Sequence, residues 1–193
     1  MMMFDAPPPP RIECVGCTPA EQKITKFLQD RGIVDVNAIA TVLGNIKQES
    51  NFKHNICEGG AIVPYDQCLS GGYGLIQWTS QNRYDGLAHF ARAYGGDPST
   101  FDTQLRYMVN EPQWTRFELS LKGRGQTVQY YMKEAYYWLG WGIHGNRTTY
   151  AYDYTKKLIK FTPPDANDSL PDKVPQSTHS QSQGDIRIPF GVC

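Results

Sequence analysis

Apolar residues along this chain recur at intervals of three and four, and no two-residue alternation is sustained, so the pattern predicts a mainly α-helical domain. The first helix opens at TPAE, where Thr18 is placed to cap, Pro19 suits the first helical position and Glu21 closes a capping box. Ile24, Phe27 and Leu28 form its buried face, and Gly32 ends it. NAIATVLGNIKQES, residues 37–50, reads as a second helix with Ala38, Ile39, Val42, Leu43 and Ile46 on one stripe. A third follows Ser80 through Tyr84, Leu87, Ala88, Ala91 and Tyr94 to the stop at Gly95 and Gly96. Shorter periodic stretches predict helices over Phe101–Val109, over Gln126–Leu139 with Val128, Tyr131, Met132, Ala135 and Leu139 inside, and over Arg147–Phe161 before Pro163 and Pro164. Only the 53–74 loop has room for a small hairpin, which makes an α+β variant with a minor sheet beside the second helix.

Composition separates both ends from this body. Residues 1–17 contain PPPP at 7–10, an extended segment that joins neither a helix nor a central strand, and read as an arm. Residues 163–193 are polar and proline-bearing, a composition that buries too little to fold alone, closing on DIRIPFGVC with alternating Ile186 and Ile188 suited to a partner's sheet edge. One domain over 18–162 with two assembly arms is the expected organisation, the arms adding little to the core. Nineteen basic and nineteen acidic residues cancel, which removes the electrostatic argument for nucleic acid or an anionic membrane. No apolar run approaches the roughly twenty residues of a membrane span, and MMMFDAPPPPRIE lacks the charged start and apolar centre of a signal peptide. Neither membrane insertion nor export by the chain's own routing is expected.

The candidate chemistry gathers between Asn37 and Thr79. Glu49 stands at the C-terminal end of the second helix, where the negative end of the helix dipole and burial against the core both disfavour the ionised carboxylate, as suits a general acid. Beyond a glycine- and cysteine-bearing loop comes GGYGLIQWTS, whose glycines allow tight turns or close approach to a ligand while Gln77 and Trp78 offer an amide and an indole. Glu58, Asp66 and Glu111 are candidates for a second carboxylate, which lies about 5 Å from the acid in retaining glycosidases and about 6.5–9.5 Å in inverting ones. Glu58 and Asp66 lie on the loop facing Glu49, whereas Glu111, before Pro112, reads as ordering the fold. Tyr136, Tyr137, Trp138 and Trp141 read as core, except that Trp141 between glycines is suited to stack on a saccharide ring; His144 is a weaker acid–base candidate.

GNIKQESNF at 44–52 followed by GYGLIQWT at 72–79 resembles the paired signature of the tail-associated lysozymes of tailed bacteriophages, a branch of the goose-type lysozyme and lytic transglycosylase superfamily. The upstream FLQDRGIVDVNAIATVL matches as well. The resemblance runs from about Thr18 to Phe161 and weakens after Tyr84; at 136–147 the chain reads YYWLGWGIHGNR where the family pattern has a Tyr-Glu-Arg-Pro-like element. It implies a lysozyme-like fold, Glu49 as catalytic acid, and Tyr73, Gly74, Gln77 and Trp78 beside the substrate groove. Asp66 and Gln77 complete the expected catalytic set, and Trp141 the substrate-binding one. The implied activity is muramidase cleavage of the bond between N-acetylmuramic acid and N-acetylglucosamine in peptidoglycan. The implied setting is a phage tail assembled in the host cytoplasm, joined to other virion proteins through both arms and acting at the cell wall. A lytic transglycosylase and a non-catalytic tail protein are the alternatives.

Five cysteines stand at 14, 17, 57, 68 and 193. A zinc site from the first four is one reading, although the second pair lacks knuckle spacing; a Cys57–Cys68 disulfide clamping the loop beside the site is the other. The expected enzyme uses neither cofactor nor metal.

Overall fold

The computed structural model describes residues 10–69 and 71–162. Among them are seven helices and one two-stranded antiparallel sheet, a mainly α, lysozyme-like arrangement. The helices are α1 Pro19–Asp30, α2 Val36–Ser50, α3 Gln81–Tyr94, α4 Phe101–Asn110, α5 Pro112–Leu121, α6 Val128–Leu139 and α7 Arg147–Lys157. None of these helices is long and apolar enough to cross a membrane.

Local signals account for most of the starts and stops. At α1 both halves of the capping box form, the Thr18 side chain accepting from the Glu21 N–H and Glu21 reaching back to the Thr18 N–H. At α2 the cap is Asp35, whose carboxylate accepts from the N–H groups of Asn37 and Ala38, and the helix closes on Asn51 in the left-handed region. Residues Ala38 to Ile46 of α2 are buried on all sides, which makes it the central helix of the domain. Gly44 is where α7 crosses it: a Cβ there would stand 2.6 Å from the Ala151 nitrogen and 2.7 Å from the Arg147 carbonyl oxygen. The missing side chain lets the two backbones meet. On another side, α5 and α6 pack through Trp114, Phe117 and Trp138, with Phe117 and Trp138 stacked at 5.0 Å.

The structure departs from the sequence reading in four places. The arm is shorter than expected, because Arg11–Cys14 forms strand β1, paired antiparallel with β2, Leu158–Phe161. Ile12 and Cys14 enter the core, and Gln29 both accepts from the Ile12 N–H and donates to its carbonyl, at 2.8 and 2.7 Å. Accordingly α7 ends at Lys157, since the four residues expected to extend it pair with β1 instead. The minor sheet is therefore this terminal pair, and in place of a hairpin the described residues of the 53–74 loop carry isolated bridges, Ile56 with Ile62, Cys57 with Tyr73, and Tyr73 with Trp78 beyond it. Finally, α5 is an additional helix, begun by Pro112 and facing inward through Trp114, Phe117 and Leu121. The expected arm residues 1–9 and 163–193, with Ile186, Ile188 and Cys193, lie outside the described residues.

The four cysteines for which a shared zinc site was one reading form two separate disulfides, Cys14–Cys17 at the end of β1 and Cys57–Cys68 across the loop. A four-cysteine zinc site is thereby excluded in this structure, and the loop clamp is present.

Candidate functional site

The last turn of α2 opens into a cleft of about 770 Å3. Glu49 lines it, with its side chain 18% exposed. Two segments complete the walls near it: Ile76, Gln77, Thr79 and Ser80 from the glycine-rich stretch, and Gly140–Ile143 from the turn after α6. Each wall is tied to α2. Ser50, next to Glu49, donates its hydroxyl to the Leu75 carbonyl at 2.8 Å, while Gln48 accepts from the Asn146 N–H at 2.8 Å. Gly145 takes φ 59° there, and a Cβ on it would fall 2.4 Å from the Gln48 amide nitrogen.

Arg147 is the cation paired with Glu49. Its Nη1 lies 2.9 Å from Glu49 Oε1 and 3.0 Å from Asn45 Oδ1, and its other nitrogens donate to the carbonyls of His144 and Ile143. The guanidinium also lies 4.3 Å from the centre of the Trp141 ring. Burial holds the Arg147 pKa below its ordinary value, and the Glu49 carboxylate offsets only part of that effect. The expectation drawn from the helix end and core contact left this cation out, because Arg147 is 98 residues away along the chain.

The second carboxylate on the cleft is Glu58. Its N–H donates to the Gly72 carbonyl at 2.8 Å and its Oε2 accepts from the Gly72 N–H at 3.0 Å, a reciprocal pair that holds the side chain against the backbone. Gly71, at φ 82°, makes room for it: a Cβ there would stand 2.6 Å from that of Glu58. Asp66, expected to share the catalytic role, instead sits exposed in the short 3-10 turn Tyr65–Gln67, away from the cleft.

Three further expectations are corrected by burial. Tyr73 and Trp78 are both 0% exposed, so they pack inside the domain and do not border a groove. Tyr73 donates its hydroxyl to the Val63 carbonyl, and Trp78 donates Nε1 to Glu111 Oε1 at 2.8 Å. Glu111 in turn receives a two-pronged ion pair from Arg83, both bonds 2.8 Å, which fixes the Arg83 guanidinium on the cleft wall. Gly74 is likewise buried, at φ 80°, with the Gln104 amide packed where a Cβ would go. Gln104 donates to the carbonyls of His54 and Pro98 and accepts from the Leu75 N–H, so this side chain from α4 shapes the whole glycine-rich turn.

Gln77 and Trp141 do reach the cleft. Gln77 adopts φ 52° and donates its amide to the carbonyls of Ile56 and Gly74. His144 lies outside it, edge-on to Trp141 and bonded to the Thr148 hydroxyl at 2.9 Å. Sequence reasoning missed Arg147, Arg83 and Gln104, all on elements distant in sequence from Glu49. Only Arg147 carried a signal, standing at the end of the YYWLGWGIHGNR stretch where the chain departs from the family pattern.

A fold of this kind, with a glutamate at the end of its central helix facing a glycine-rich turn, defines a lysozyme-like domain. The family model described as phage tail lysozyme matches residues 19–158, and the chain belongs to that family. No curated protein and no solved structure matches it significantly.

Proposed function

We propose that this protein cuts the glycan strand of peptidoglycan as a phage tail component, opening the host wall for the tail, with its terminal segments docked on other virion proteins. The observation that carries the reading is Glu49 opening into a cleft of about 770 Å3 that a second carboxylate, Glu58, also lines. That volume falls in the range of sites that enclose small ligands or a few sugar units. Glu49, protonated from solvent through the open cleft, donates that proton to the oxygen between N-acetylmuramic acid and N-acetylglucosamine as the bond to the anomeric carbon breaks. Water then adds to the oxocarbenium-like centre and yields its proton to Glu58. Arg147, held on four sides by Asn45, Glu49 and two carbonyls, orients the acid.

Glu58 on the cleft favours hydrolysis over the transglycosylase reading, in which the sugar's own 6-hydroxyl attacks and no base for water is needed. The open space at Glu49 weighs against a purely structural tail protein. A digest of purified peptidoglycan by the wild-type protein and by Glu49→Gln, analysed by mass spectrometry, tests both points. Reducing-end muropeptides from the wild type alone are expected. Anhydro ends, lighter by one water, would replace the hydrolytic step, and equal release by both proteins would remove Glu49 from its role.

A further inference from the structure

Trp141 belongs to two hollows. On one side it closes the cleft of Glu49, and on the other it walls a shallower hollow of about 320 Å3 over the outward face of α6. Lys133, Tyr136 and Tyr137 stand on that face at i, i+3 and i+4, the spacing that makes neighbours on a helix. Tyr136 and Tyr137 are 48% and 58% exposed, while the inward face of the same helix sends Tyr131, Ala135 and Trp138 into the core. The tyrosines thus lie outside the core, Tyr136 against Trp141 and Tyr137 with the Arg116 guanidinium 5.6 Å from its ring centre. Their rings form a continuous aromatic surface with the cleft wall: Tyr136 meets Trp141 edge-on at 5.2 Å and Tyr137 at 5.7 Å. Exposed aromatic surface contiguous with a cleft marks a place where a ligand continues.

We propose that this tyrosine face of α6 binds a further saccharide unit of the same glycan strand that occupies the cleft, so that the site grips the strand beyond the bond it cuts. The chemistry fits: a pyranose ring presents an apolar face of C–H groups that packs on an aromatic ring, while its hydroxyl edge stays in water or bonds a phenol. Lys133 stands at the rim, positioned to meet a carboxylate carried by a substituent of the strand. A linear polymer leaving the cleft past Trp141 runs onto these residues, whereas a small ligand confined to the cleft does not.

The inference rests on the cleft being the seat of the glycan, and binding separates it from the chemistry. Glu49→Gln protein is titrated with peptidoglycan glycan oligosaccharides of increasing length, alone and combined with Tyr137→Ala or Tyr136→Ala. Tyr137 is the sharper variant because Tyr136 also supports Trp141. Longer oligosaccharides are expected to bind about tenfold more tightly than the shortest, a gain of the size one aromatic contact supplies. Tyr137→Ala is expected to abolish that gain while leaving the shortest oligosaccharide's affinity unchanged. The same affinity at every length, or a length gain that survives both alanine variants, would overturn the proposal, and failure of any oligosaccharide to bind would remove the cleft reading with it. A length gain in a protein whose wild type cuts nothing would leave the tyrosine face standing and refute the enzymatic reading alone.

Discussion

Arg147 Nη1 lies 2.9 Å from Glu49 Oε1, joining the start of α7 to the end of α2 across the wall of the cleft. The arginine is 3% exposed. Removing one member of so buried a pair strands the groups around it, so Arg147→Ala is expected to lower stability by about 3–5 kcal/mol, read from denaturant midpoints. Arg147→Lys restores the charge but not the planar fork that serves Asn45, Glu49 and two carbonyls together, and is expected to recover only part of the loss. A wild-type midpoint for either variant would show that the pair does not hold the site.

Gly44 makes that pairing possible by letting α7 lie directly on α2. Gly44→Ala forces a methyl to within 3 Å of backbone atoms that have no rotamer to change. An overpacked contact of this kind costs about 1–3 kcal/mol. Since the displaced backbone is that of α7 at Ala151 and at Arg147, activity on peptidoglycan is expected to fall by more than the loss of folded protein explains. Thermal melting and a digest run side by side separate the two effects.

The Cys57–Cys68 disulfide closes a loop with a sequence separation of 11, and Glu58 follows its first cysteine directly. In the chain-entropy account a loop of this size contributes about 2–3 kcal/mol by restricting the unfolded state. Replacing both cysteines with serine is expected to lower the melting temperature and to speed hydrogen exchange at Glu58 and Gly72, whose mutual bonds the clamp supports. Unchanged exchange at those two amides would show that the loop holds Glu58 unaided.

Much of the fold was legible because its signals are local. The Thr18–Glu21 box, the second helix up to Glu49, and the glycines that end α1 and α3 all act within a few residues. The terminal sheet was not, since Arg11 pairs with Phe161 and no pattern in either tetrapeptide names the other. The α5 helix was readable in principle: Pro112 suits a first turn, and Trp114, Phe117 and Leu121 repeat at helical spacing. At the site, Glu49, Glu58 and Gln77 line the cleft, but an aromatic residue in a glycine-rich stretch looks the same whether it faces a ligand or the core. Trp78 and Tyr73 take the second course because Glu111 and Val63 offer their polar atoms buried partners. Glu58 replaces Asp66 on the cleft through its bonds with Gly72, a contact set by loop geometry that no sequence rule encodes.

Alkaline pH is expected to unfold the domain from its tyrosines. Burial pushes the Tyr131 hydroxyl up to about 12, and raises Tyr65, Tyr107 and Tyr154 in the same direction. A group whose folded pKa exceeds its unfolded value, about 10 for tyrosine, adds stability that is fully present below about pH 10 and is lost as pH rises through the folded value. Stability should therefore hold through neutral pH and fall progressively above about pH 10, with Tyr131→Phe showing a shallower fall. Denaturant midpoints measured across that range check it; a flat profile would contradict the burial assigned to these hydroxyls.

The central claim is that Glu49 supplies the proton for glycosidic cleavage. Glu49→Gln tests it most directly, because the glutamine carbonyl still accepts from Arg147, although the lost charge balance is expected to lower the thermal transition. The measurement is the rate of muropeptide release from purified peptidoglycan, with folding verified by the thermal transition. A positioned general acid contributes about 10²–10⁴-fold, so a fall of that size in a folded variant is the expected result, and release at the wild-type rate would contradict the account.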